Sequence, residues 1–101
     1  MNKDKVLQYL GLAKRANKIV SGETSVLEYI KKKDVYLVFL ASDAMSNTTK
    51  RITDKTHFYN VSLNQSFNTD ELNKAIGTSN RKVVGITDKN FTNMILSQLD
   101  R

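Results

Sequence analysis

None of the 101 residues is a cysteine or a proline, and only His57 is a histidine. Without cysteine there is no disulfide framework, no thiolate nucleophile and no thiolate metal site, so stability has to come from packing. One histidine leaves little for a metal site or a nucleophile–base pair. His57 follows an expected helix end and precedes an expected strand, where a satisfied structural imidazole is the simpler reading. Long apolar runs are missing too, since nothing approaches the ~20 residues a membrane span requires. The opening MNKDKVLQYL carries charge, with no continuous apolar core and no small-residue cleavage site. The expectation is a cytoplasmic protein with no membrane partner. Neither G-x-G-x-x-G nor G-x-x-x-x-G-K-[ST] occurs, and there is no repeat or low-complexity tract. These absences argue against an enzyme, and no cofactor or metal is expected.

What is present suits a small globular chain. The composition, 40% hydrophobic and 26% charged, is ordinary, and the length has room for one domain over residues 1–101 and one core. The net charge of +6 is uneven: residues 1–55 hold eleven Lys/Arg against six Asp/Glu, and residues 56–101 five against four. A basic half suits a polyanion, although a positive surface without any nucleic-acid role has the same composition.

From Asp4 to Asn17 the apolar positions Val6, Leu7, Leu10, Ala13 and Ala16 follow helical spacing, with Lys5, Lys14 and Arg15 off that stripe. Gly11 costs such a helix about 1 kcal/mol against alanine, which implies close packing there. Ile19-Val20 reads as a short strand. Ser21 or Gly22 then caps a second helix reaching about Lys33, with Glu23 in its first turn and Lys31, Lys32 and Lys33 in its last. The unbroken run Asp34 to Ala41 (DVYLVFLA) reads as a central strand buried on both faces. After the turn Ser42 to Met45, a third helix starts at Ser46 or Asn47. Its four threonines make it dependent on the packing of Ile52 and the residues around Phe58. His57 to Leu63 holds a second strand, and Asn64 to Asn68 is a polar loop. Thr69 opens a short helix ending at Ile76-Gly77. A further buried strand, Lys82 to Thr87, precedes a last helix from Asp88 to Leu99. The order predicts an α/β chain: a three-layer α/β/α sandwich with a small mixed β-sheet covered on both faces.

Three segments could meet at one end of that sandwich: Ser21 to Ser25, Ala44 to Thr49, and Gly77 to Lys82. They carry small or hydroxyl side chains, free N–H groups at a helix start, or basic groups, all ligands for phosphate and sugar. Gly22 has no side chain to hold a backbone away, and the N–H groups of Thr24 and Ser25 could face a phosphate. Lys18, Lys50, Arg51, Arg81 and Lys82 would supply charge. On spacing alone the same residues are also three unrelated turns: Ser21 an N-cap, Ser46 or Asn47 another, and Thr78, Ser79 and Asn80 a solvated loop. Asp43 ends the buried strand, the usual place for a ligand in an open α/β sheet, but without a carboxylate partner nearby it reads as a turn or cap residue.

Taken together, Leu12 to Gly22 (LAKRANKIVSG), Leu37 to Asp43 (LVFLASD) with Ser46 to Lys50 (SNTTK), Ala75 to Gly77 (AIG) and Val83 to Asp88 (VVGITD) resemble the bacterial YlxQ-like proteins. These are members of the superfamily of kink-turn RNA-binding ribosomal proteins of the L-seven-Ae and L-thirty-e type. The resemblance covers nearly the whole chain; the combination is specific although no single piece is. It implies an α/β/α sandwich gripping a kink-turn, a sharply bent RNA duplex with tandem sheared G·A pairs.

Carried over by position, the family's glycine before the second helix falls on Gly22. The archaeal Asn and Glu that recognise the sheared guanines, and the assisting Lys, fall on Thr24, Ser25 and Glu28, which all depart. Glu23 is at hand, but near phosphates it would repel. Ala44, Met45 and Thr49 lie where the family packs its post-strand turn against an extruded base, and Met45 offers an adaptable apolar contact. Thr78 to Lys82 lie where the family has an apolar loop, here polar and basic. The resemblance therefore implies a grip shifted from base edges toward phosphates. The leading expectation is a monomeric, non-enzymatic protein that binds structured RNA, with the ribosome or translation factors as further partners. Two others stand beside it: a protein-interaction module on the same fold that has lost kink-turn recognition, and the substrate-recognition part of an RNA-modifying enzyme whose catalysis lies in another polypeptide.

Overall fold

The middle of the long apolar run, Leu37 to Leu40, becomes a strand with no exposed residue, and helices cover both of its faces. The structure is a computed structural model, describing residues 1–100. Along the chain run α1 (Lys3–Arg15), β1 (Ile19–Ser21), α2 (Glu23–Lys31), β2 (Leu37–Leu40), α3 (Ser46–Phe58), β3 (Ser62–Asn64), α4 (Thr69–Ile76), β4 (Val83–Ile86) and α5 (Lys89–Leu99). The sheet order is β1-β4-β2-β3, antiparallel except for the parallel pair β2–β3, so the mixed sheet of the expected sandwich is present.

Alternation of side chains along the central strands builds two cores. Leu37, Phe39, Val84 and Ile86 join Val6 and Leu10 of α1, Leu72 and Ile76 of α4, and Ile95 of α5 on one face. Val38, Leu40 and Val83 join Val26 and Ile30 of α2 and Ile52 of α3 on the other. All of these are buried, and each contributes about 1.5–3 kcal/mol of transfer free energy relative to exposure. The glycine inside α1 has the expected reason: a Cβ on Gly11 would lie 3.0 Å from the Ala75 carbonyl oxygen, where α1 crosses α4.

Several boundaries differ from expectation. The central strand is Leu37–Leu40 and not Asp34 to Ala41, with Asp34 and Tyr36 exposed ahead of it. His57 and Phe58 belong to the last turn of α3, and β3 is confined to Ser62–Asn64. The threonine-rich helix holds because buried Thr56 donates its hydroxyl to the Ile52 carbonyl at 2.8 Å, which satisfies the group that would otherwise disfavour it. The cap of α4 is Asn68 rather than Thr69: its side chain accepts from Glu71 N–H at 2.8 Å, and Glu71 accepts from Asn68 N–H at 2.9 Å. Lastly, α2 stops at Lys31 and not Lys33. Among the described residues no helix is long and apolar enough to cross a membrane.

Candidate nucleic-acid interface

Strand directions bring the three expected segments to one end of the sheet. β4 runs antiparallel to both β1 and β2, so its start lies beside the ends of the other two. Gly22 N–H donates to the Val83 carbonyl at 2.9 Å, and Ala41 N–H to the Lys82 carbonyl at 2.8 Å. The start of α2, the turn after β2 and the loop before β4 are thus one surface.

Gly22, and not Ser21, caps α2; Ser21 is a strand residue paired with Val84. The cap offers no side-chain bond, and the first helical bond runs from Val26 N–H to the Gly22 carbonyl. The N–H groups of Glu23, Thr24 and Ser25 therefore precede the helical ladder and point out at the positive end of the helix dipole. Gly22 adopts φ 95°, ψ 145°, a conformation open essentially to glycine alone. The space beside it is already used: a Cβ there would lie 2.7 Å from Nη1 of Arg81.

Glu23 faces α3. Its carboxylate accepts from the Thr48 hydroxyl at 2.9 Å and from Nε of Arg51, with which it forms an ion pair. The Arg51 hydrogen bond is the main cause holding the Glu23 carboxyl below its ordinary value, and Arg51 is raised by the same bond. Glu23 thereby ties α2 to α3 and cancels one of the cations that the sequence assigns to this surface.

The basic loop is organised by one buried side chain. Asn73 Nδ2 donates to the carbonyls of Thr69 (2.7 Å) and Arg81 (2.8 Å), while its Oδ1 accepts from the Thr78 hydroxyl (2.7 Å) and Arg81 N–H (2.9 Å). Asn80 turns the loop at φ 58°. Next to it, Asp43 Oδ1 accepts from Thr69 N–H at 2.9 Å and the Thr69 hydroxyl at 2.7 Å, and the hydroxyl bond is the first cause of its lowered pKa. Lys82 Nζ donates to the same Thr69 oxygen at 3.1 Å. Asp43 is thus the cap-like residue expected, one wall of a cleft of about 410 Å³ that Asn73, Thr78, Ser79, Asn80 and Lys82 also line.

Among the expected site residues, Gly22, Glu23, Thr24, Ser25, Arg81 and Lys82 come together directly, with Thr78, Ser79 and Asn80 in the loop beside them. At the start of α3, Met45 is the N-cap and 78% exposed, Ala44 is half-buried between both cores, and Thr49 donates to the Ala44 carbonyl at 3.5 Å. Lys50 is exposed one turn along. Lys18 is not brought in. Its carbonyl accepts from Thr87 N–H at the opposite end of β1. Thr48 and Asn73, whose hydrogen bonds hold these segments, are absent from the expected site. Asn73 carries a legible signal, a helix-disfavouring amide beside the apolar Leu72 and Ile76; Thr48 carries none.

A sandwich with one end of its sheet meeting a helix start that has no side-chain cap bond, under a basic loop, defines a ribosomal-protein-like class of α/β/α fold. The chain belongs to the Ribosomal protein L7Ae/L30e/S12e/Gadd45 family, which it matches over residues 4–96. It is 44% identical over 91 residues to a protein of Bacillus subtilis (strain 168) named RNA-binding protein YlxQ, covering 90% of this chain and 91% of that one. It is 38% identical over 90 residues to an Enterococcus faecium protein of the same name, covering 89% and 86%. These agree with the YlxQ-like resemblance of the sequence, and neither the family nor the relatives carry an enzyme's name. A protein with unknown function from Bacillus halodurans superposes with a TM-score of 0.91 at 35% identity, over 96% of this chain and 98% of that one. A Giardia lamblia 15.5kD RNA binding protein superposes with a TM-score of 0.82 at 16% identity, over 95% and 82%, a likeness of fold.

Proposed function

We propose that this protein binds structured RNA, gripping a sharp bend of kink-turn type with the surface formed by Gly22 to Ser25, the start of α3 and the Thr78 to Lys82 loop. The observation that carries the reading is the convergence at Gly22. Helix N–H groups without an internal partner and the Arg81 guanidinium lie side by side there, two positive elements with no carboxylate between them. The names of the relatives support RNA as the partner. In place of amide and carboxylate readers, this surface has Thr24 and Ser25, whose short hydroxyls suit phosphate and ribose.

Recognition on this reading is of shape. The protein holds the bent conformer out of the RNA's ensemble, by no more than its differential affinity for that conformer. Met45, exposed at the helix start, supplies the apolar contact to an unstacked base. A place beside the ribosome or another part of the translation apparatus in the cytoplasm is the setting we propose for it. The test is a titration of a bent duplex with Arg81→Ala and Lys82→Ala together. The reading expects weaker binding and a salt slope shallower by roughly 2, at about 0.9 per phosphate contact; unchanged affinity and slope would overturn it.

A further inference from the structure

The two ends of the sheet differ in how far their cations are paired. At the proposed bend-gripping end three cations are answered, Arg51 by Glu23, Lys82 by the Thr69 hydroxyl that Asp43 also holds, and Lys74 by Asp70, which leaves Arg81 beside Gly22 and the exposed Lys50. At the other end, α1 and α2 finish, and they and their turns into β1 and β2 hold Lys14, Arg15, Lys18, Lys31, Lys32 and Lys33, all exposed. Among the described residues none of these six is in an ion pair. The carboxylates on the same segments are Glu28 and Asp34, and Asp88 across from them is followed by Lys89. This end therefore carries most of the net charge of +6.

Backbone bonds set the two turns side by side. Thr87 N–H donates to the Lys18 carbonyl and Tyr36 N–H to the Ile86 carbonyl, both at 2.9 Å, so Lys18 and Tyr36 flank the end of β4. With strands about 4.8 Å apart, they are roughly 10 Å from each other. Asp34 N–H donates to the Tyr29 carbonyl, folding Lys33 beneath the end of α2. Tyr29 and Tyr36 are 39% and 45% exposed among the lysines.

Helix stability accounts for only part of the cluster. Lys14, Arg15 and Lys31 occupy last turns, where a cation offsets the dipole by about 0.3–1 kcal/mol. Lys32 is the C-cap of α2, and Lys18 and Lys33 lie beyond the helix ends. Lys33 also sits at φ 59°, a left-handed conformation that glycine or asparagine takes more readily, and makes no ion pair in return.

Resting on the reading that the protein binds RNA, we infer that this end is a second RNA contact, a grip on the phosphate backbone made by Lys18, Lys32 and Lys33 beside Tyr36. Its ligand is the sugar-phosphate chain of a neighbouring RNA segment, without base preference. Gly22 and Lys18 are separated by the length of β1, roughly 13 Å at about 3.3 Å per residue, and the molecule measures 28 × 25 × 25 Å. Selectivity for the bend and the bulk of counterion release thus belong to opposite ends of one small body.

The test is the triple variant Lys18→Gln/Lys32→Gln/Lys33→Gln, which leaves the helix turns and the Gly22 end intact. Its melting temperature is compared with the parent's to establish folding. Dissociation constants are measured from 50 to 200 mM salt for a bent duplex and a straight duplex. Three phosphate contacts correspond to a fall in affinity of about forty-fold over that range. The inference expects that part of the salt dependence to vanish for both RNAs, with the bent-to-straight ratio unchanged. Unchanged constants and slopes in a folded variant would overturn it. Should the parent show no preference for the bend while the triple variant still loses its slope, the proposed function fails and this inference stands. If the parent binds neither RNA, both fall.

Discussion

The guanidinium of Arg81 lies where a side chain on residue 22 would begin, 2.7 Å from the Cβ position of Gly22. The loop before β4 is thereby packed on the start of α2, and the absence of a side chain serves both the backbone conformation and the arginine. Gly22→Ala meets two obstacles, a φ of 95° and the arginine. We expect a loss of about 1–3 kcal/mol in urea unfolding, and weaker RNA binding than the parent. In the Arg81→Ala background the same substitution should cost less, because only the φ penalty remains. Equal costs in the two backgrounds would show that the contact carries no energy.

Asn73 makes four hydrogen bonds from one buried amide, two of them to the backbone of Arg81. Asn73→Ala leaves Arg81 N–H and two carbonyls without that partner, at a cost of about 1–3 kcal/mol. The amide of Arg81 should exchange with deuterium faster than in the parent, and affinity for bent RNA should drop although no surface residue has changed. Parent-like protection at Arg81 would mean that the loop holds itself.

Glu23 neutralises Arg51 on the proposed RNA surface. Glu23→Gln keeps a hydrogen-bonding group toward Thr48 and Arg51 but releases the charge. Binding to bent and straight RNA should tighten together at low salt, with a slope steeper by about 0.9, one further phosphate contact. Weaker binding would mean instead that the ion pair positions α3 for the RNA.

Acid should loosen the fold through named carboxylates. Glu71 is held below its ordinary 4.5 first by its bond to Asn68 N–H, and Glu23 below its own 4.5 by Arg51. A lowered folded-state pKa contributes stability that is present above the unfolded value and lost as pH falls through the folded one. Stability should therefore decline as pH drops below 4.5, and Glu71→Gln should flatten that decline. An unaltered pH profile in the variant would remove the α4 capping box from the account.

Much of this architecture was legible because period and composition agree. Leu37 to Leu40 within DVYLVFLA has no polar face and reads as a strand covered twice, which placed the layers, while Asp34 and Tyr36 ahead of it are exposed and outside the strand. Boundaries failed where a side chain overrode propensity, as when Thr56 bonded within α3 and kept His57 and Phe58 helical, or when Asn68 took the cap from Thr69. At the site, glycine before a helix start and a basic loop before a strand were readable. The Glu23 bridge to Thr48 and Arg51 was not, because it joins residues 25 and 28 positions apart. Lys18 was misplaced for the opposite reason: neighbours of Gly22 in sequence lie at the far end of a strand in space.

Whether this surface reads an RNA bend can be settled by one titration. A standard kink-turn duplex is compared with a matched duplex whose sheared G·A pairs are replaced by Watson–Crick pairs, each at low and high salt. The account predicts a preference for the kink-turn that persists at the higher salt, since hydrogen bonds at Gly22 to Ser25 are screened less than surface charge. Equal binding to both duplexes, falling away together with salt, would contradict it.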